Sequence, residues 1–245
     1  MEIATYLQFM LLCIFILGMI LFHAVDCVSR GKSWRLFIGA IVGALFCQIF
    51  DLSWGMADLG VFPVSVGIHR LICSLYYSSV TALSLWWFFY SEFAMESPLM
   101  KTRGRIFLCT LPYLIYNILL FLPADYGIIY IDNNNIYQRG RLYLISILLP
   151  YVYLLVTACR ALWKAANKNN FARRKDYLVL ASFAVYPCLF GVAQFLAPET
   201  SLISIGITLA VIQVYLVSQE TLACFLLHFL KHRLCSLYGR HSKYS

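Results

Sequence analysis

Leu36-Phe37-Ile38-Gly39-Ala40-Ile41-Val42-Gly43-Ala44-Leu45-Phe46-Cys47 is an apolar run without a charge, and the segment around it, residues 35 to 57, has the length of a helix that crosses a bilayer. At 1.5 Å of rise per residue, about 20 residues cover roughly 30 Å of hydrocarbon. Runs of the same kind recur at about 5 to 25, 68 to 91, 105 to 122, 142 to 163, 177 to 196 and 202 to 222, each bounded by charges, Pro or Gly. They predict an all-α membrane protein, a seven-transmembrane helix bundle filling residues 1–222, followed by a short basic cytoplasmic tail at 223–245.

The composition agrees. Of 245 residues 62% are hydrophobic and 12% charged, which excludes a soluble globular class. Nine cysteines are scattered singly without a CxxC pair, so they read as small packing residues, and neither a metal nor a cofactor is expected. The net charge of +8 sits in juxtamembrane clusters, which suits an anionic inner leaflet and argues against nucleic acid. The first run follows Met1-Glu2-Ile3 without a basic leader or a small-residue cleavage site, so helix one is expected to be retained.

Lys and Arg accumulate on the cytoplasmic side of span ends. All but Arg70, Arg139 and Arg141 of the 19 basic residues fall on one side of this layout, beside the first, third and fifth turns and in the tail. That bias predicts a multi-pass plasma-membrane protein with its N-terminus outside and its C-terminus in the cytoplasm. Trp34, Trp163 and Tyr177 near span ends suit the interfacial belt. Between helices four and five, two β-prone runs, Ile128 to Ile131 and Ile136 to Gln138, flank Asp132-Asn133-Asn134-Asn135 and predict a short extracellular β-hairpin over the mouth of the bundle.

Ionisable groups inside spans face a bundle interior or a watery cavity. Asp51, Trp54 and Asp58 share one helical face near the outer end of helix two, and His69 and Arg70 open helix three at the same level, which predicts a charge-paired outer cavity. Tyr76 and Tyr77 on helix three, Tyr113, Tyr116 and Asn117 on helix four, Tyr143 on helix five, Gln194 on helix six and Gln213 on helix seven are further inward-facing candidates, with Arg139 and Arg141 of the hairpin beside them. Aromatic walls with a few polar anchors are the usual lining of a small-molecule site. For any single Tyr or Gln, an interhelical hydrogen bond or interfacial anchoring competes with that role. Pro112, Pro150 and Pro187 lie inside spans and are expected to kink them.

The seven-span layout, the motif Ile131-Asp132-Asn133-Asn134-Asn135-Ile136-Tyr137-Gln138-Arg139-Gly140 running into helix five, and the stretch from Ile205-Gly206-Ile207-Thr208-Leu209 to Gln219-Glu220 resemble bacterial seven-helix sensor domains. These are the N-terminal membrane regions of receptor histidine kinases and GGDEF-type diguanylate cyclases, and the resemblance covers about residues 5 to 222. It implies detection of an extracellular or membrane-borne ligand, relay through helix seven to a cytoplasmic signalling protein, and a homodimer. The chain departs from such receptors after Glu220, where neither a GGDEF-like segment nor a kinase-like His segment follows, so no enzymatic output is carried over.

A sensory module without a catalytic domain of its own is therefore the leading expectation. A small-solute transporter or permease is the alternative, since kinked helices with buried polar groups also form substrate paths. An intramembrane enzyme ranks third: His23 and His69 lie near opposite faces, while His228, His232 and His241 fall in the tail.

Overall fold

The computed structural model describes residues 3–26, 32–61, 63–122, 127–132, 136–167, 173–196 and 202–217. The tail expected at 223–245, the end of the seventh span beyond Val217 and the Asn133 to Asn135 turn lie outside these residues. The helices are α1 (Ile3–Val25), α2 (Lys32–Asp58), α3 (Val66–Ala94), α4 (Arg103–Leu120), α5 (Tyr143–Ala166), α6 (Arg174–Ser182), α7 (Val185–Leu196) and α8 (Leu202–Val217). A single 3-10 turn, Pro98–Lys101, joins α3 to α4. Two strands, β1 (Ile129–Ile131) and β2 (Tyr137–Arg139), form the hairpin between α4 and α5.

Among the described residues five segments are long and apolar enough to cross a membrane: α1, α2, α3, α5 and the stretch Arg174–Gln194 that contains α6 and most of α7. This is a helical bundle of membrane character. Its outward surface agrees, with Phe15, Phe22, Leu108, Ile118, Leu144 and Leu155 all more than half exposed on α1, α4 and α5, an arrangement that suits lipid and not water. The remaining two of the seven expected spans correspond to α4, which begins Arg103-Gly104-Arg105, and to α8, which is 16 residues long as described.

Close backbone approach sets the central pair. A Cβ on Gly39 of α2 would lie 2.3 Å from Trp86 Nε1 of α3, and Gly43 faces Leu83 at ordinary contact distance. The Trp86 indole donates to the Leu36 carbonyl at 2.7 Å, which glycine at position 39 makes room for. Small residues at such a crossing let helices pack where lipid supplies no hydrophobic drive between them. Outside this pair, α1 covers α2 through Leu17, Ile20 and Ala24 in the main core. Trp34, at the start of α2, faces the bundle and not its outer surface: it is 8% exposed and donates from Nε1 to the Ala24 carbonyl at 2.8 Å. Tyr177 is likewise buried, whereas Trp163 stands 78% exposed.

The sixth span is not one smooth helix but two, interrupted at Phe183 and Ala184. Pro187 has no N–H to give the carbonyl four residues back, at Phe183, and its ring crowds that carbonyl. Pro112 and Pro150, by contrast, sit inside unbroken helices.

The end of α3 opposite the hairpin is closed by a left-handed turn. Glu96 has φ 52, and the N–H groups of Glu96 and Ser97 return to the carbonyls of Phe93 and Glu92. This is the Schellman pattern, in which glycine normally occupies the left-handed position. Basic side chains strap the turn down: Arg160 Nε lies 2.6 Å from the fully buried Glu92 carboxylate, and its Nη2 donates to Ser97 Oγ at 3.1 Å. Lys164 donates to the Met95 carbonyl, and Arg173 pairs with Glu96 at 2.6 Å. The Arg173 guanidinium holds the Glu96 carboxyl below the ordinary glutamate range, so the pair stabilises above that range and is lost as pH falls through the lowered value. Both partners are exposed, so salt screens it. Glu96→Gly and Glu96→Ala both remove the pair, but only glycine relaxes the backbone. We expect the glycine variant to melt about 2 to 4 °C above the alanine variant; equal melting temperatures would show that the left-handed turn carries no strain.

Candidate functional site

The site grows from one face of α2, where Gln48, Asp51 and Trp54 follow at intervals of three. Trp54 stands among tyrosines from three other elements. Its ring centroid is 5.3 Å from Tyr76 and 6.1 Å from Tyr77 of α3, and 5.1 Å from Tyr137 of β2. Tyr77 meets Tyr143 of α5 edge-on at 6.1 Å, and its hydroxyl is 2.8 Å from that of Tyr137. Arg139 of β2 caps the group, its guanidinium carbon 4.9 Å from the centre of the Tyr143 ring. Burial pushes the Tyr137 phenol above the usual tyrosine range, so it stays protonated at physiological pH.

The hairpin is built to lie on this cluster. Antiparallel register pairs Ile129 with Arg139, Tyr130 with Gln138 and Ile131 with Tyr137. Alternation turns Ile129 and Ile131 inward, where with Ile128 they pack against Cys73, Tyr116 and Leu120. Gly140 then comes against Gly127, so close that a Cβ at 140 would lie 2.2 Å from the Gly127 carbonyl oxygen.

Below the aromatic group runs a buried polar seam. Asp51 is 4% exposed, and its carboxylate accepts the Ser204 hydroxyl of α8. Gln48 Nε2 donates to the Ser204 carbonyl at 2.7 Å and approaches Thr208 Oγ1 at 3.3 Å. From α1, Tyr6 donates to the Asp51 carbonyl at 2.9 Å across Gly55, where any side chain would meet the Tyr6 ring. Asp51 and Trp54 thus connect the hairpin end of the bundle to α8.

Of the expected site residues, Asp51, Trp54, Tyr76, Tyr143 and Arg139 come together. The expected charge-paired cavity does not form as such. Asp58 is exposed in the last turn of α2, beyond the buried stretch, and Arg70 donates to the Leu122 carbonyl beyond the end of α4. A carbonyl at the frayed helix end needs a donor, and Arg70 supplies it. His69 is buried at the start of α3. Tyr116 belongs to the packing under the hairpin, while Asn117 accepts from Ser78 at 2.6 Å and ties α4 to α3. Tyr113 is 3.2 Å from the same Ser78 hydroxyl. Arg141 is exposed at the entry to α5. Gln194 lies apart, accepting the Ile203 N–H at 2.9 Å and holding the start of α8 to the end of α7.

Gln48, Ser204, Thr208, Tyr6 and Tyr137 were missed. Two signals pointed to them: Gln48 precedes Asp51 by three residues, and Ser204 and Thr208 share a face of the last helix. Among the described residues no three His, Cys, Asp or Glu side chains gather as a metal site of that kind would need.

Fold and site together define a helical membrane protein whose hairpin end carries an aromatic cluster wired to its last described helix. The chain matches no family model, no curated protein and no solved structure.

Proposed function

We propose that this chain is a seven-span membrane receptor module that takes up a ligand at the hairpin-covered aromatic cluster and relays it through α8. In this reading α4 and α8 are spans alongside the five longer segments, and the hairpin and N-terminus are outside. The C-terminal end is cytoplasmic, in accord with the clustering of basic residues at the other end of the bundle. The observation that carries the proposal is the continuity of α2: Trp54 stands in the aromatic group and Asp51, one turn away, holds Ser204 of α8. A ligand that repositions Trp54 favours one placement of α8 over another, which is the differential binding a relay requires. The role is non-catalytic, with a cytoplasmic signalling protein as output partner and a homodimer as the signalling unit by the resemblance to seven-helix sensor domains.

The break between α6 and α7 is the feature that favours a permease, since discontinuous helices line many substrate paths. One experiment separates the two. The purified protein is screened by thermal shift against fractions of growth medium and of membrane lipid, and the same preparation is tested for solute flux in liposomes. The receptor reading expects a fraction that raises Tm in the wild type and in Asp58→Ala but not in Tyr137→Ala, with no flux. Solute flux that Tyr137→Ala abolishes overturns it in favour of the permease.

A further inference from the structure

Pairing and alternation put Tyr137 and Arg139 on one face of the hairpin. They lie opposite Ile131 and Ile129, which turn toward the bundle, and directly opposed residues of two antiparallel strands share a face. Contacts then close a ring: the Arg139 guanidinium carbon lies 4.9 Å from the centre of Tyr143, Tyr143 meets Tyr77 at 6.1 Å, and the Tyr77 and Tyr137 hydroxyls are 2.8 Å apart. Burial is the main influence raising the Tyr137 phenol, and the Arg139 charge works against it, which places cation and phenol within electrostatic reach. Trp54, Tyr77, Tyr137 and Tyr143 are each half-buried, so the ring forms a partly accessible rim and not a sealed core. What this rim lacks is an acceptor. Arg139 is exposed and, unlike Arg160 and Arg173, meets no carboxylate among the described residues. Two phenols that share one contact use one of their two protons there, which leaves the other O–H to give elsewhere. The Trp54 indole nitrogen is also buried without an acceptor among the described residues. Of the acids on α2, Asp51 turns its carboxylate to Ser204, and Asp58 stands exposed in the last turn.

We propose that Arg139 anchors a small soluble carboxylate whose planar or apolar body lies against Tyr143 and the rim of the aromatic cluster. The inference rests on the receptor reading for the place of the ligand, and adds the ligand's charge and its anchor. The contact with Tyr143 is made with the ring, which leaves the N–H fork of the guanidinium free to meet both oxygens of a carboxylate. One guanidinium matches one negative charge; a dianion would keep net charge at a half-buried rim, where losing water is costly. Aromatic walls alone would also suit a cation. Here a cationic ligand would meet the like charge of Arg139 and no acid, and a neutral one would leave the guanidinium as unpaired as before. Arg141, two residues on, is exposed as well and adds positive potential that steers an anion to this end of the bundle.

The test melts the full chain in phosphatidylcholine nanodiscs at constant ionic strength and about pH 7, where a carboxylic acid is ionised. The probes are phenylacetate, phenylethanol and phenethylamine, which share a phenyl ring on a short chain and differ in charge. Phenylacetate is expected to raise Tm saturably, while the alcohol and the amine do not. Arg139→Gln should raise the half-saturating concentration roughly tenfold or more, as loss of a charge-assisted pair does. Arg139→Lys should recover part of the response, because an ammonium keeps the charge but not the fork. The readout is a difference between probe and buffer within each variant, so one with a lower starting Tm still reports. No shift from phenylacetate up to millimolar concentration, a shift that Arg139→Gln leaves unchanged, or an equal response to the alcohol or the amine overturns the proposal. In the last case, a response that Tyr137→Ala abolishes keeps the receptor site and discards only its anionic anchor, whereas one that survives Tyr137→Ala discards the site as well. A Tm rise on adding phosphatidylglycerol to the nanodisc, absent in Arg139→Gln and with no response to phenylacetate, also overturns the proposal and assigns the guanidinium to a lipid headgroup.

Discussion

Gly140→Ala is expected to lift the hairpin from the bundle and lower stability by about 3 kcal/mol or more, the upper end of what overpacking costs. The new Cβ would lie 2.2 Å from the Gly127 carbonyl oxygen and 2.9 Å from the Ile128 carbonyl carbon. Both are backbone atoms, so no rotamer change relieves the collision. Two hydrogen bonds depend on this approach, Gly140 N–H to the Ile128 carbonyl at 3.0 Å and Leu142 N–H to the Gly127 carbonyl at 3.4 Å. If the strands separate there, Ile128 and Ile129, each 0% exposed, lose their cover, and Tyr137 leaves Trp54. Thermal melting together with hydrogen exchange at residues 128 to 131 measures the effect. A variant that melts like the wild type with protected amides would mean that the hairpin base is not close-packed.

The same glycine indicates what was legible in the sequence. Two β-prone runs around an Asx-rich turn predict the hairpin, and the strands begin and end within a residue of that reading. The alternation of Ile129, Tyr130 and Ile131 also tells which side faces inward. The need for glycine at 140 is not readable, because it arises from a neighbour thirteen positions earlier in the chain. Likewise, the face shared by Asp51 and Trp54 follows from helical spacing, and both prove to be interior. Their partners do not follow. Ser204 is 153 residues from Asp51, and no local pattern pairs them. Arg70 and Asp58 were joined by charge alone, but a carbonyl at a helix end and the exposed last turn of α2 hold them apart. Pro187 was legible as a disturbance. That it splits its helix while Pro112 and Pro150 leave theirs continuous depends on packing the sequence does not record.

Packing at that split yields the second large effect. Trp87 of α3 is 0% exposed and stacks on Phe183, at the interruption between α6 and α7, with ring centroids 3.7 Å apart and planes at 15°. Tyr90 closes over the indole at 5.0 Å. Trp87→Ala empties the space beside the broken backbone. In lipid the transfer part of the loss is small, because the surroundings are apolar in either state, so the cavity and the lost dispersion contacts dominate. About 3 kcal/mol is expected, the low end for an aromatic residue cut to alanine. Trp87→Phe should behave quite differently. The indole Nε1 is buried without an acceptor, so no hydrogen bond is lost, and removing it relieves a burial penalty on the order of 1 to 3 kcal/mol. That relief offsets most of the lost ring area, and the phenyl ring keeps its stack on Phe183. Melting of the two variants in nanodiscs, with limited proteolysis read across residues 183 and 184, decides the matter. Phe as damaging as Ala would mean that the indole N–H has an acceptor after all, while a harmless Ala would mean that the split helix holds its place without α3.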